Sequence, residues 1–78
     1  MLTRIPVDSS MIAAVAYDAE NQRLYAEFNS GKIWAYEGVE PDVFERLLKA
    51  NSIGRFMLDE IIDCYNDYPV RRGRDFKW

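Results

Sequence analysis

The chain has 78 residues, 49% of them apolar, a formal net charge of −3 and a single cysteine. That length holds one hydrophobic core and excludes a second domain, and the apolar content excludes a disordered chain. One cysteine excludes an internal disulfide and fits a reducing compartment, while the acidic balance argues against broad nucleic-acid binding over a basic surface. The N-terminal MLTRIPVDSS lacks the apolar stretch of a secretory leader, and the longest apolar run, MIAAVAY, is too short to cross a bilayer. The expectation is a cytoplasmic protein with no membrane partner.

Three short strands are expected between residues 12 and 36: IAAVAY (12–17), RLYAEF (23–28) and IWAY (33–36), separated by the turn formers DAENQ and NSGK. With Ser30-Gly31 as a two-residue hairpin loop, Phe28 faces Ile33, Ala26 faces Ala35 and Tyr25 faces Tyr36. With residues 18–22 as a five-residue loop, Ala16 faces Leu24 and Ile12 faces Phe28. Both registers gather Ile12, Ala14, Ala16, Leu24, Ala26, Phe28, Ile33 and Ala35 on one face, which is expected to be the core. Ala13, Val15, Tyr17, Arg23, Tyr25, Glu27, Trp34 and Tyr36 fall on the other, expected to be open.

Pro41 suits a first helical position, and Val43, Phe44, Leu47 and Leu48 recur at helical spacing, with Asp42 and Glu45 near the start and Lys49 near the end. Ser52 is expected to cap a second helix with Ile53, Phe56, Met57, Ile61 and Ile62 as its apolar stripe. Gly54 in its first turn has room for a neighbouring backbone. Pro69 ends the pattern. The fold class is therefore α+β: a three-stranded antiparallel β-meander followed by two helices packed on one sheet face (βββαα). One domain is expected over residues 1–65, and an irregular, basic and aromatic C-terminal tail over 66–78. In that tail Arg71, Arg72, Arg74 and Lys77 stand against Asp67 and Asp75, a net +2.

No catalytic constellation is visible, so an enzyme is not expected, nor a cofactor or metal. The chain has no histidine. Ser9 and Ser10 lack a base and read as a turn before the first strand. Asp59, Glu60 and Asp63 read as a wet helix face rather than cation ligands, and Cys64, with no partner for zinc, reads as a small buried hydrophobe.

Taken together, VDSSMIAAVAYD, LYAEFNSGKIWAYEGV, VFERLLKANSIGRF and IIDCY resemble the KTSC domain over roughly residues 7 to 65. This is a short domain named for the C-terminus of some lysyl-tRNA synthetases and also found as a stand-alone small protein. Ser9 and Ser10 match the family's serine pair, Tyr17-Asp18 its Tyr-Asp, Gly31 its glycine before the third strand, Trp34-Ala35-Tyr36 its central Tyr-x-Tyr, and Ser52-Ile53-Gly54 its Ser-x-Gly. Trp34 departs from that pattern by replacing a tyrosine, Glu40 by standing where proline is common, and Leu58 by standing where asparagine is expected. The resemblance implies, through the family's company with a tRNA synthetase, an RNA-binding accessory role.

The functional expectation is a small non-catalytic binding module whose partner is RNA or tRNA. Tyr25, Trp34 and Tyr36 would stack bases, and Arg71, Arg72 and Arg74 would meet phosphates. Arg55, beside Gly54, is a further isolated cation. The alternative is a protein-protein interaction or homodimer through the same aromatic face. Ordinary packing of those rings, for instance under Phe76 and Trp78, competes with both.

Overall fold

The computed structural model describes residues 2–72. Five strands, β1 (Ile5–Pro6), β2 (Ile12–Asp18), β3 (Arg23–Phe28), β4 (Ile33–Glu37) and β5 (Asp67–Val70), form one antiparallel sheet in the order β1-β2-β3-β4-β5. Helix α1 spans Pro41–Lys49. Helix α2 spans Ile53–Phe56 and runs on into a π-helical turn, Met57–Ile61.

The sheet thus has five strands rather than three, and the start of the expected irregular tail is β5. Both added strands lie at edges. β1 contains Pro6, and β5 contains Asp67 and Pro69. Such residues weaken a strand's signature but are tolerated where one side of the ladder is unpaired. Gly73, Arg74, Phe76 and Trp78 lie outside the described residues.

The hairpin between β3 and β4 decides which face is buried. The Phe28 N–H donates to the Lys32 carbonyl at 2.8 Å, and the Gly31 N–H donates to the Phe28 carbonyl at 2.9 Å. The loop is therefore the three residues 29–31, with Gly31 at φ +95, the turn-plus-glycine form of a short hairpin. One extra loop residue moves every β4 partner by one: Trp34 stands opposite Ala26, Tyr36 opposite Leu24, and Ala35 opposite Tyr25. At the other hairpin Asp18 pairs with Arg23 around the four residues 19–22, which puts Tyr17 opposite Leu24 and Val15 opposite Ala26. An irregularity between Ile12 and Ala14 restores the pairing of Ile12 with Phe28.

Side chains alternate along a strand, so a one-residue slip exchanges the faces. The helix-covered face carries Val15, Tyr17, Trp34 and Tyr36 beside Ile12, Leu24, Ala26 and Phe28, and meets Val39, Val43, Leu47, Met57 and Ile61. The alanine-lined expectation is corrected accordingly. Ala16, Tyr25, Ile33 and Ala35 form the second, thinner cluster on the opposite face, flanked by Leu2 and Val70. Any residue with a side chain at the φ of +95 held by Gly31 is strained, because Cβ crowds the neighbouring carbonyl. Gly31→Ala is expected to cost about 1–2 kcal/mol in urea denaturation, whereas a position at negative φ would tolerate it.

The helices form as the sequence implies. Pro41 begins α1, Asp42 lies in its first turn, and Arg46 and Lys49 lie in its last. Val43 and Leu47, four apart, are buried, and Phe44 stacks on Tyr17 with ring centroids 4.8 Å apart. The Ser52 hydroxyl accepts from the Arg55 N–H at 3.2 Å, capping α2. The Ile62 N–H donates to the Met57 carbonyl at 2.7 Å, closing the π turn that buries Met57 and Ile61. Cys64, expected to be buried, is exposed beyond this turn.

Candidate functional site

The sequence motifs before β2 and at the start of α2 meet in space. The Ser9 hydroxyl oxygen accepts from the Met11 and Ile12 N–H groups, both at 3.1 Å, and the Asn29 amide donates to the Ser9 carbonyl. A Cβ on Gly54 would lie 3.4 Å from Met11 Cβ and 3.5 Å from Ser9 Oγ. This cluster seats α2 on the turn before β2, so Ser9 is committed to backbone donors rather than to a nucleophile's role.

The expected aromatic platform does not assemble. Tyr36 is 2% exposed and sits in the main core, and Trp34 is half-buried on the same face. Tyr25 lies on the opposite face, buried in the second cluster. Their separation follows from the three-residue hairpin loop. Arg55 is exposed and donates to Asp59 at 3.1 Å, an i,i+4 pair on the helix surface. Arg71 and Arg72 follow β5 directly, and Arg74 lies outside the described residues.

What the fold does assemble is a groove at the hairpin end of β4 and β5. Its volume is about 500 Å³, with Ile33, Trp34, Pro69 and Val70 as apolar walls and Gly31, Lys32, Arg71 and Arg72 around them. Pairing of Trp34 with Pro69 creates it. Lys32 and Arg71 are exposed and make no ion pair among the described residues. A smaller slot of about 210 Å³ lies along the helix-covered face, lined by Phe28, Trp34, Tyr36, Ile62 and Asp67. Trp34 is the wall common to both.

Two charge networks brace the opposite face. Glu27, its side chain 12% exposed, receives Arg4 Nη2 at 3.1 Å and Arg72 Nη2 at 2.8 Å on one carboxylate oxygen. The hydrogen bond from Arg72 and then that from Arg4 hold its carboxyl below the usual value. Glu37 accepts from Tyr68 and from Arg23, and these two bonds lower its pKa likewise. Arg72, expected to be free for phosphate, is therefore partly occupied by Glu27. Among the described residues no three His, Cys, Asp or Glu side chains converge as metal ligands.

The KTSC domain family model matches residues 8–65. The chain belongs to the KTSC domain family. It is similar to a KTSC domain protein from Yersinia pestis of known crystal structure, with a TM-score of 0.88 and 28% identity, over 91% of this chain and 100% of that one. An uncharacterised protein of Stutzerimonas stutzeri strain A1501 is 43% identical over 54 residues, 69% of this chain and 76% of its own. A protein of Tsukamurella paurometabola is 46% identical over 52 residues, 67% of this chain and 78% of its own. The KTSC match ends at residue 65, so β5, Arg71 and Arg72 lie beyond it.

Lys32, Phe28, Ile62 and Asp67 border these cavities without having been expected as site residues: Phe28 and Ile62 are read from the sequence as core, and Asp67 only as a charge of the tail. The signal for Lys32 was its place between Gly31 and Trp34. Asp67 carried none, because it reaches the slot only by the pairing of β5 with β4. No helix among the described residues is long and apolar enough to cross a membrane.

Proposed function

We propose that this KTSC domain is a non-catalytic, cytoplasmic module that binds single-stranded RNA along the groove between Gly31 and Arg72. The observation carrying this reading is the ring of Lys32, Arg71 and Arg72 around an apolar floor that includes Trp34, on a chain whose overall charge is −3. Cations confined to one groove give a local phosphate track without a basic surface, and an indole at its edge gives a base a face to stack on. Tyr25 and Tyr36 leave the site, and Lys32 enters it.

The alternative, a protein partner or second copy, loses the expected aromatic surface, since Trp34 and Tyr36 lie on the helix-covered face and Tyr25 on the opposite one, and would turn to the β5 edge instead. That edge carries Pro69 and leads into Arg71 and Arg72, residue types that discourage strand addition.

Titration with mixed-sequence single-stranded RNA tests the proposal. Single strands lose about 0.7 in log K per log salt for each phosphate contact, so Lys32 and Arg71 with a partly paired Arg72 predict a slope between about −1.4 and −2 and roughly 7- to 16-fold weaker binding at 200 mM than at 50 mM salt. Lys32→Ala and Arg71→Ala should each make the slope shallower by about 0.7. No binding at micromolar protein in low salt, salt-insensitive binding, or a stable dimer by light scattering that excludes RNA would overturn the reading.

A further inference from the structure

One arginine of the groove is held from outside it. Arg72 lines the groove, yet its Nη2 stands 2.8 Å from Glu27 Oε1. Glu27 pairs with Ile33 across β3 and β4, and Ile33 pairs with Val70 across β4 and β5. Ile33 and Val70 are both walls of the groove, so Glu27 stands in the cross-strand row that builds it and holds Arg72 at its margin.

Arg4 reaches the same oxygen from the other edge of the sheet. Its Nε and Nη2 lie 3.2 and 3.1 Å from Glu27 Oε1, and neither Arg4 nor Glu27 lines the groove. Two guanidiniums therefore share one carboxylate, with one positive charge in excess. Each weakens the other's hold by like-charge repulsion, so losing one of them costs less than losing a sole partner. The Glu27 side chain is largely buried, and those of both arginines are partly exposed. A carboxylate in that setting has to keep one cation, because an unpaired buried charge is costly. Arg4, engaged through two nitrogens, supplies it.

A phosphate offers a guanidinium two parallel charge-assisted hydrogen bonds. While Arg4 stays on Glu27, moving Arg72 to a phosphate leaves no carboxylate unpaired. Without Arg4, Glu27 would keep Arg72 as its sole partner. We propose that Arg4 is a positioning residue for the groove: by keeping Glu27 paired, it lets Arg72 leave that carboxylate for an entering phosphate. The inference rests on the RNA-binding reading for the source of the phosphate. It gives the segment before β1 a part in a site built at the β4–β5 edge.

The test reads the salt slope of mixed-sequence single-stranded RNA binding to the full chain. The parent is expected at about −2, with Lys32, Arg71 and Arg72 all engaged, and Arg4→Gln at about −1.4, with Arg72 kept by Glu27. Arg4→Lys, which retains the charge, should stay at about −2. Arg72→Ala should make the parent shallower by about 0.7 and leave Arg4→Gln unchanged. Adding Glu27→Gln to Arg4→Gln should release Arg72 and return the slope to about −2, a rescue that general loss of charge or stability at position 4 would not allow. A parent already at about −1.4 would mean that Arg72 never leaves Glu27, and an equal effect of Arg72→Ala with and without Arg4 would mean that Arg4 plays no part. Either result overturns the proposal and leaves the RNA reading in place. If no variant binds RNA, the RNA reading falls, and inorganic pyrophosphate, followed through the Arg72 Nε–H resonance, decides the exchange. Saturation at a severalfold lower concentration in the parent than in Arg4→Gln upholds it; equal saturation, or no shift in either, overturns it as well.

Discussion

Tyr36→Ala is expected to destabilise the domain by about 3–5 kcal/mol, the range for truncating a large buried aromatic. Tyr36 is among the largest fully buried side chains and packs in one cluster with Leu24, Val39, Leu47, Met57 and Ile61. At roughly 0.05–0.15 kcal/mol per residue, a domain of this length has about 4–12 kcal/mol of total stability, so the variant should be largely unfolded or melt far below the parent. Two controls separate this from nonspecific damage. Leu58→Ala, at a site 56% exposed, should stay within about 0.5 kcal/mol. Tyr36→Phe removes a hydroxyl that has no hydrogen-bond partner among the described residues and should hold or raise stability. Urea denaturation followed by circular dichroism measures all three. If Tyr36→Ala were as mild as Leu58→Ala, Tyr36 would lie on an open face, where a two-residue hairpin loop puts it.

The three central strands, both helices, the Pro41 start and the Ser52 cap were legible because period, propensity and capping act within a few residues of one another. The face assignment was not, because Ser30-Gly31 closes a two-residue hairpin and residues 29–31 close a three-residue one with the same glycine, and the difference exchanges the two sides of β4. An apolar pattern could not arbitrate, since alanines on one side and aromatics on the other both read as buried. β1 and β5 were hidden by Pro6, Asp67 and Pro69, which suit an edge but not the middle of a sheet. Trp34, expected on an open aromatic face, is a half-buried wall of both cavities. Its neighbours Pro69 and Asp67 were not legible, because pairing across some thirty residues leaves no local trace in the chain.

Acidification is expected to unfasten the sheet from its edges, beginning at Glu27. Arg4 lies just before β1 and Arg72 just after β5, and both converge on one Glu27 carboxylate oxygen from opposite ends of the chain. Their hydrogen bonds, Arg72 foremost, depress the folded-state pKa of Glu27 below its ordinary 4.5. The hydrogen bonds from Tyr68 and Arg23 do the same for Glu37, and Asn21 does so for Asp18. A depressed carboxyl binds fewer protons folded than unfolded. Its contribution is complete above the unfolded value and is lost as pH falls through the lower, folded one. The melting temperature should therefore be level near neutrality and fall below about pH 5.

Glu27→Gln should flatten that acid limb. Glu27→Ala should cost about 2–3 kcal/mol at pH 7, less than a fully buried pair because both arginines are partly solvated. Hydrogen exchange places the loss: with Glu27→Ala the amides of β1 and β5 should lose protection before those of β2, β3 and β4. Uniform loss across all five strands would mean that Glu27 supports the sheet as a whole rather than clasping its two ends.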